Sequence, residues 1–187
     1  MANAKKRSLP IWLVFFAASC SGLKIGSTTS AIDLTARNEG MSLLYKLVSQ
    51  EMNVDKILWV KSETDELQEL IERIAATAKN AETKLRKMAE DDPTLELGLE
   101  SLPEMEKRTR KAIESTKAKG LLGAKGKRFE LELLLSQEDG LSYGSHMAQV
   151  LAEVEENKAL KEYLTNLSTQ LRMLHDSVVN LLEARTV

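Results

Sequence analysis

Aromatic residues are scarce in this sequence: phenylalanine, tryptophan and tyrosine together make up 4% of its 187 residues. Glycine is also infrequent away from the chain ends and a few loop-like segments. Leucine, alanine, glutamate and lysine dominate instead, and these residues favour helices over strands. The composition therefore predicts an all-α fold and argues against an all-β or a doubly wound one.

Cysteine is almost absent, because Cys20 is the only one and no disulfide can form within the chain. A single cysteine also excludes zinc and iron–sulfur sites of the usual kind. The Glu-x-x-His pattern of di-iron bundles is missing too, since His146 and His175 have Tyr143 and Arg172 at that spacing. We therefore predict no metal and no cofactor, and His175 is the one residue that remains a candidate metal ligand.

Catalytic motifs are missing as well. The segment Gly120–Arg128 superficially resembles a phosphate loop, but its glycine-to-lysine spacing is one residue too long and Arg128 stands where serine or threonine must bind magnesium. No nucleophile elbow is present, and carboxylate pairs such as Glu69 and Glu72 are better explained as solvated outer faces. The sequence therefore predicts no catalytic residue and a protein that is not an enzyme.

The N-terminal apolar run, Leu9–Ala18, has ten residues, which is too short for a bilayer that needs about 20. It follows the basic group Lys5–Arg7, so residues 1–19 are predicted to be a secretory signal peptide. The segment from Ala17 to Cys20 resembles the bacterial lipobox, in which the cysteine sulfur is acylated and becomes the new N-terminus. Ala17 stands where that motif usually has leucine, and ordinary signal-peptidase cleavage after an Ala-x-Ser segment is the alternative.

Lipidation of Cys20 would use a thiol that an oxidising compartment would otherwise leave unpaired. Residues 20–40 are then the lipidated cysteine and a flexible tether rich in glycine, serine and threonine. We expect an exported protein that is lipid-anchored in the bacterial cell envelope and faces the periplasm. A soluble periplasmic or secreted protein is the alternative, and Ser21 leaves the choice of inner or outer membrane undecided.

Two segments carry apolar residues at alternating spacings of four and three, which keeps each set on one side of a helix. The C-terminal set consists of Leu160, Leu164, Leu167, Leu171, Leu174, Val178 and Leu181. The earlier set consists of Leu67, Ile71, Ile74, Ala78, Ala81, Leu85 and Met88. A helix with one apolar stripe needs partners, so these stripes predict a helix bundle over residues 41–187.

Start and stop signals divide the first half of that domain into two helices. The first is predicted over residues 41–60, and the second begins after Ser62, which forms a capping box with Asp65. One continuous helix is the alternative. Pro93 ends the second helix, because proline disfavours helical geometry in the residue before it.

Further helices are predicted in the second half. Ser101 is expected to cap a third helix that has Pro103 in its first turn, a weak apolar face that includes Met105 and Ile113, and an end near Gly120. Residues from 129 onward read as a helix, with a strand as the alternative, and glycines 140 and 144 are expected to kink or interrupt it. The last helix is expected from a cap at residue 157 to about residue 183.

Charge is distributed unevenly along the chain. The net charge is −2, and it becomes −5, from 23 basic and 28 acidic residues, when Lys5–Arg7 leave with the signal. This balance argues against a nucleic-acid-binding protein.

Nine cations nevertheless fall within residues 107–128, a span of 22 residues in which Glu114 is the only acid. They are Lys107, Arg108, Arg110, Lys111, Lys117, Lys119, Lys125, Lys127 and Arg128. This cationic segment predicts an anionic partner, such as lipid headgroups, a wall polymer or an acidic protein surface, with a solvated helix face as the alternative.

Several local motifs resemble those of bacterial exported ferritin-like domains of unknown function, over about residues 41–184. They are the exported signal, the helical hairpin before Asp92, the Gly126-Lys127-x-Phe129 start and the segment Ala159-Leu160-Lys161 followed by Tyr163. The resemblance implies a ferritin-like bundle. The histidines of that family fall here on residues near Ala78 and Leu141, and only His175 lies near a family histidine, so the resemblance weakens a metal-binding function.

Together these observations predict an antiparallel, ferritin-like, up-down bundle of four to five helices behind a signal peptide and tether. The leading functional hypothesis is a membrane-anchored envelope lipoprotein whose helical module has a non-enzymatic binding or structural role. The alternatives are a ferritin-like metal-binding or redox protein of the periplasm and a periplasmic chaperone-like helical protein.

Overall fold

The computed structural model describes residues 34–59, 64–98 and 102–186. Within these ranges the chain is all-α, as predicted, with five α-helices, one 3₁₀ helix and no strand. The elements are α1 (Leu34–Glu51), the 3₁₀ helix (Val54–Trp59), α2 (Asp65–Asp91), α3 (Glu104–Gly123), α4 (Lys127–Val154) and α5 (Lys158–Thr186). None of the described helices combines the length and the apolar character that crossing a membrane requires. The predicted signal peptide and Cys20 lie outside the described residues.

Both apolar stripes lie in the core, as their spacing predicts. All members of the C-terminal stripe, now on α5, are buried, with Leu164 and Val178 fully enclosed. On α2 the stripe is buried from Leu67 to Leu85, and Met88 is half-buried at its end. Phe129 and neighbouring leucines of α4 complete this core, so the helices are held together mainly by apolar burial.

The first helix has different limits from those predicted. It begins at Leu34, so the boundary between tether and domain predicted at residue 41 falls inside α1. Arg37 and Asn38 of this added length are buried. The helix ends at Glu51 rather than near residue 60, and a separate 3₁₀ helix follows. At this break the Asn53 backbone N–H donates a hydrogen bond to the Gln50 carbonyl oxygen at 3.3 Å. This i→i+3 bond closes a turn that is tighter than an α-helical turn.

The helix ends around residues 91–104 are partly as predicted. The second helix stops at Asp91, before Pro93, as expected. It begins at Asp65 with Thr64 as the N-cap, and the predicted cap Ser62 lies outside the described residues. Pro103 is the N-cap of α3 rather than a residue of its first turn, because its carbonyl accepts the first helical hydrogen bond from Lys107 at 3.1 Å.

The third helix is not a core helix. It extends to Gly123, three residues past the predicted end, and none of its residues is buried. Met105 and Ile113 of the predicted apolar face are 68% and 51% exposed. The helix packs against α4 from outside, and its residue Leu121 packs, half-buried, against the core.

The fourth helix confirms helix over strand. Its glycines were expected to kink or interrupt it, and the interruption is wrong. It continues from Lys127 to Val154 through both of them. At Gly144 a Cβ atom would lie 2.6 Å from Leu47 Cδ2 and 3.2 Å from Leu171 Cδ1. Glycine is therefore present because α1 and α5 approach closely there, not because the helix breaks.

The α4–α5 connection has the predicted cap. The Asn157 side-chain oxygen accepts hydrogen bonds from the backbone N–H groups of Ala159 at 3.0 Å and Leu160 at 3.2 Å. Polar contacts between α4 and α5 follow in reverse order along the chain. They join Gln149 to Arg172 at 2.9 Å, Glu138 to His175 at 3.1 Å and Glu130 to Arg185 at 2.9 Å.

Candidate functional site

The cationic segment extends along α3 to the start of α4. Six of its nine cations lie on α3, Lys125 lies in the α3–α4 connection, and two lie at the start of α4. Four of them form ion pairs, joining Lys107 to Glu104 at 3.3 Å, Arg110 to Glu106 at 2.7 Å, Lys117 to Asp139 at 3.0 Å and Arg128 to Glu132 at 2.8 Å. The other five are exposed and have no ion pair with a described residue; they are Arg108, Lys111, Lys119, Lys125 and Lys127. These five remain available to an anionic partner.

A cleft lined by cations separates α3 from α1. This cationic cleft has a volume of about 380 Å³, and the buried residue Leu102 is part of its lining. Its charged lining consists of Lys46, Lys107, Arg110, Lys111 and one acid, Glu114. Cations from two helices face one space here, although sequence analysis singled out only those of α3.

A second, more apolar cleft lies between α3 on one side and the end of α1, the 3₁₀ helix and α4 on the other. This apolar cleft has a volume of about 510 Å³. Its apolar lining includes Leu47, Val54, Ile57, Ile113, Leu121 and Leu133. The size lies within the range of small-molecule sites, about 300–1,000 Å³. No residue of α3 is fully buried, although Leu121, which lines this cleft, is half-buried against the core.

Arg110 and Tyr143 form the junction of the two clefts, because both side chains line both spaces. The Arg110 guanidinium carbon lies 5.7 Å from the centre of the Tyr143 ring, within cation–π range. Arg110 Nη2 lies 3.5 Å from the Tyr143 hydroxyl oxygen. The two clefts are therefore adjacent and share lining residues, and the second has the larger number of apolar side chains.

A carboxyl group lies in the apolar cleft. Glu51 Oε2 is shielded from solvent and has no hydrogen-bond partner among the described residues. Burial raises the pKa of Glu51, while a hydrogen bond with Gln137 and the charge of Lys117 act in the opposite direction. Sequence analysis missed this residue, but a signal was present. Glu51 continues the buried series Met41, Leu44 and Val48 at spacings of three, four and three.

The candidate metal ligand His175 of α5 lies beside Glu138 of α4. Its Nε2 atom lies 3.1 Å from Glu138 Oε1, and its Nδ1 atom lies 3.5 Å from Asp176 Oδ1. Over residues 34–59, 64–98 and 102–186, histidine and acidic side chains form no group of three or more suited to a metal ion. His146 Nδ1 lies 2.8 Å from the Ser142 carbonyl oxygen on its own helix.

A buried ion-pair cluster at the other end of α1 is structural. Arg37 Nε lies 2.8 Å from Glu155 Oε2, and Arg37 Nη2 lies 3.4 Å from Asp92 Oδ2. Hydrogen bonds from Thr94 lower the pKa of Asp92, and Arg37 adds to this effect. Glu155 Oε1 accepts a further bond from the Asn157 backbone at 2.9 Å. Because these charges already have protein partners, the cluster ties α1 to two loops and leaves little for a ligand.

Comparison of this chain with protein-family profiles, with characterised proteins and with solved structures reveals no significant similarity. The residues around α3 are therefore the basis for the functional proposal.

Proposed function

We propose that this chain is a non-enzymatic binding module of the bacterial cell envelope, exported and held at a membrane through a lipid on Cys20. Its cationic segment binds an anionic partner. The observation that carries the proposal is that α3 is an outer helix with no buried residue, and that four of its six cations, Arg108, Lys111, Lys117 and Lys119, are exposed. A helix that contributes little to the core and carries six cations is better suited to binding than to stability.

The proposal includes an antiparallel, ferritin-like, up-down arrangement of the helices. The reverse order of the α4–α5 contacts supports this arrangement, since Gln149 meets Arg172 while Glu130 meets Arg185. The short connection of residues 155–157 also favours neighbouring helices of opposite direction. In such a bundle α3 lies on the outside, with its cations accessible from the surrounding medium.

Charge reversal at exposed cations tests the anionic partner. In one variant Arg108, Lys119, Lys125 and Lys127 become glutamate; all four are exposed and lie outside both clefts. We expect this variant to bind vesicles that contain phosphatidylglycerol at least about tenfold more weakly than the parent chain at low salt. Each cation near an anionic surface contributes about 1 kcal/mol. Added salt should remove most of the difference, because exposed charges are screened.

A control variant changes the same total charge elsewhere. It replaces Arg73, Lys79, Lys84 and Lys87, which are exposed cations on α2, by glutamate. We expect it to bind the vesicles nearly as well as the parent chain does. Equal losses in the two variants would mean that only net charge matters, and salt-insensitive binding by all three proteins would contradict the proposal.

A further inference from the structure

We propose that the two clefts beneath α3 together bind one long-chain anionic amphiphile. The acyl chain lies in the apolar cleft, and the carboxylate or phosphate headgroup lies among the cations of the cationic cleft. This inference rests on the proposed function, since it names the class of anionic ligand that the same segment binds.

The dimensions of the apolar cleft favour a chain molecule over a protein partner. One turn of an α-helix with its side chains occupies roughly 400–600 Å³. The cleft, at about 510 Å³, could therefore hold only one turn of a partner helix. An acyl chain is narrow enough to follow a cleft that is lined from both sides, by Ile113 and Leu121 of α3 and by Leu47 and Leu133 of the helices beneath.

The apolar side chains of the apolar cleft offer hydrocarbon surface beside polar and charged residues such as Lys117 and Asp139. Ile113 is 51% exposed although its side chain faces the cleft, so a ligand there would cover apolar surface that the protein leaves in contact with water. Each methylene removed from water strengthens binding by about fourfold. Burial in this cleft raises the pKa of Glu51, so its neutral form persists to higher pH than in water, and a neutral acid is more compatible with an acyl chain than a carboxylate is.

The headgroup has two cations without competing protein partners. Lys46 of α1 and Lys111 of α3 line the cationic cleft and form no ion pair with a described residue. Lys107 and Arg110 line the same cleft but are paired with acids of α3, at 3.3 Å and 2.7 Å. Lys46 and Lys111 are therefore the residues from which we expect most of the headgroup attraction.

Titration of the purified full chain with defined probes tests the inference. The probes are palmitate, lysophosphatidate with the same acyl chain, hexadecanol, acetate and inorganic phosphate. We expect saturable binding of palmitate or lysophosphatidate, and the tighter of the two identifies a fatty-acid or a phospholipid source. Hexadecanol should bind at least about tenfold more weakly, since it lacks the charge, and acetate and phosphate should not bind measurably. Binding of the headgroups alone, or no binding of either amphiphile, would overturn the proposal.

Variants locate the site. Ile113→Asp places a charge in the apolar cleft and should weaken amphiphile binding at least about tenfold. Met105→Asp changes a residue of the same helix that is 68% exposed and lies outside both clefts, and it should bind like the parent chain. Ile113→Trp fills the cleft with an apolar side chain and should weaken binding without adding charge. Unchanged binding by both Ile113 variants would contradict the assignment of the site.

A further variant tests the headgroup end of the site. The experiments also distinguish a failure of this inference from a failure of the proposed function. Lys46→Glu combined with Lys111→Glu should weaken binding of palmitate about tenfold and leave the weaker binding of hexadecanol unchanged. Ile113→Asp should still bind anionic vesicles, because it retains every cation of the segment. If vesicle binding follows the exposed cations but no variant of the clefts alters amphiphile binding, the proposed function stands and this inference is wrong.

Discussion

Two ionisable residues near opposite ends of α1 are shielded from water, and they differ in whether the shielded group has a partner. Arg37 lies between two carboxylates, at 2.8 Å from Glu155 and 3.4 Å from Asp92. Glu51 Oε2 has no hydrogen-bond partner among the described residues. A buried charge is tolerated when it is paired and is costly when it is not. Glu51 is therefore a residue at which the fold gives up stability, which is typical of binding sites.

Replacing Glu51 by glutamine should reveal that cost. Because the pKa of Glu51 is raised above its ordinary value of 4.5, the folded state binds more protons than the unfolded state. The free energy of unfolding therefore falls as the pH rises from about 4.5 through the folded-state pKa. Glu51→Gln keeps the shape without the charge, so we expect a higher Tm than that of the parent near neutral pH. The difference should shrink towards about pH 4, and thermal unfolding followed by circular dichroism across this range measures it.

The control for this prediction is Glu162→Gln, which changes an exposed carboxylate on α5. Its Tm should follow that of the parent at every pH. If Glu51→Gln is no more stable than the parent at neutral pH, the burial of Glu51 does not lower the stability of the protein.

At the scale of elements, the two glycines of α4 contact their neighbours differently. A Cβ atom at Gly140 would lie 3.4 Å from Glu51 Oε1, an ordinary contact. At Gly144 it would lie 2.6 Å from Leu47 and 3.2 Å from Leu171, side chains that belong to two different helices. Only the second position requires the absence of a side chain.

Alanine at each of these positions tests that difference. Either substitution gains up to about 1 kcal/mol of helix propensity. Gly144→Ala also overpacks the contact with α1 and α5, which typically costs about 1–3 kcal/mol. We expect Gly140→Ala to be more stable than the parent and Gly144→Ala to be about 1–3 kcal/mol less stable than Gly140→Ala in urea unfolding. Equal stability of the two variants would show that α1 and α5 adjust freely at this position.

The elements also differ in how well the sequence predicted them. Long stripes such as Leu67–Leu85 were assigned correctly to the core, because many regularly spaced apolar residues must share one face. The interruption at Gly140 and Gly144 was wrong, because a low helix propensity can mark either a break or a close approach of another helix. Met105 and Ile113 of the weak apolar face predicted on α3 are exposed, because this helix has too few apolar residues to form a continuous stripe.

At the scale of the whole molecule, the lipid anchor proposed at Cys20 would set where the binding surface works. Several acyl chains, at about 0.8 kcal/mol for each buried methylene, are needed for stable anchoring. We expect Cys20→Ser to abolish incorporation of labelled fatty acid in growing bacteria and to move the protein to the soluble fraction. Ser27→Ala, in the predicted tether, is the control and should leave both unchanged. Unaltered labelling and membrane association of Cys20→Ser would remove the lipoprotein from the proposal.

The sequence by itself determined the all-α class, the two core stripes, the cap at Asn157 and the cationic segment. These features depend on local propensity and on spacing along one helix, which neighbouring residues already specify. Only the tertiary structure brought Lys46 of α1 opposite Lys111 of α3 and placed Glu51 in the apolar cleft. Contacts between distant segments depend on how helices pack, and a single stripe specifies that a partner is needed but not which helix provides it.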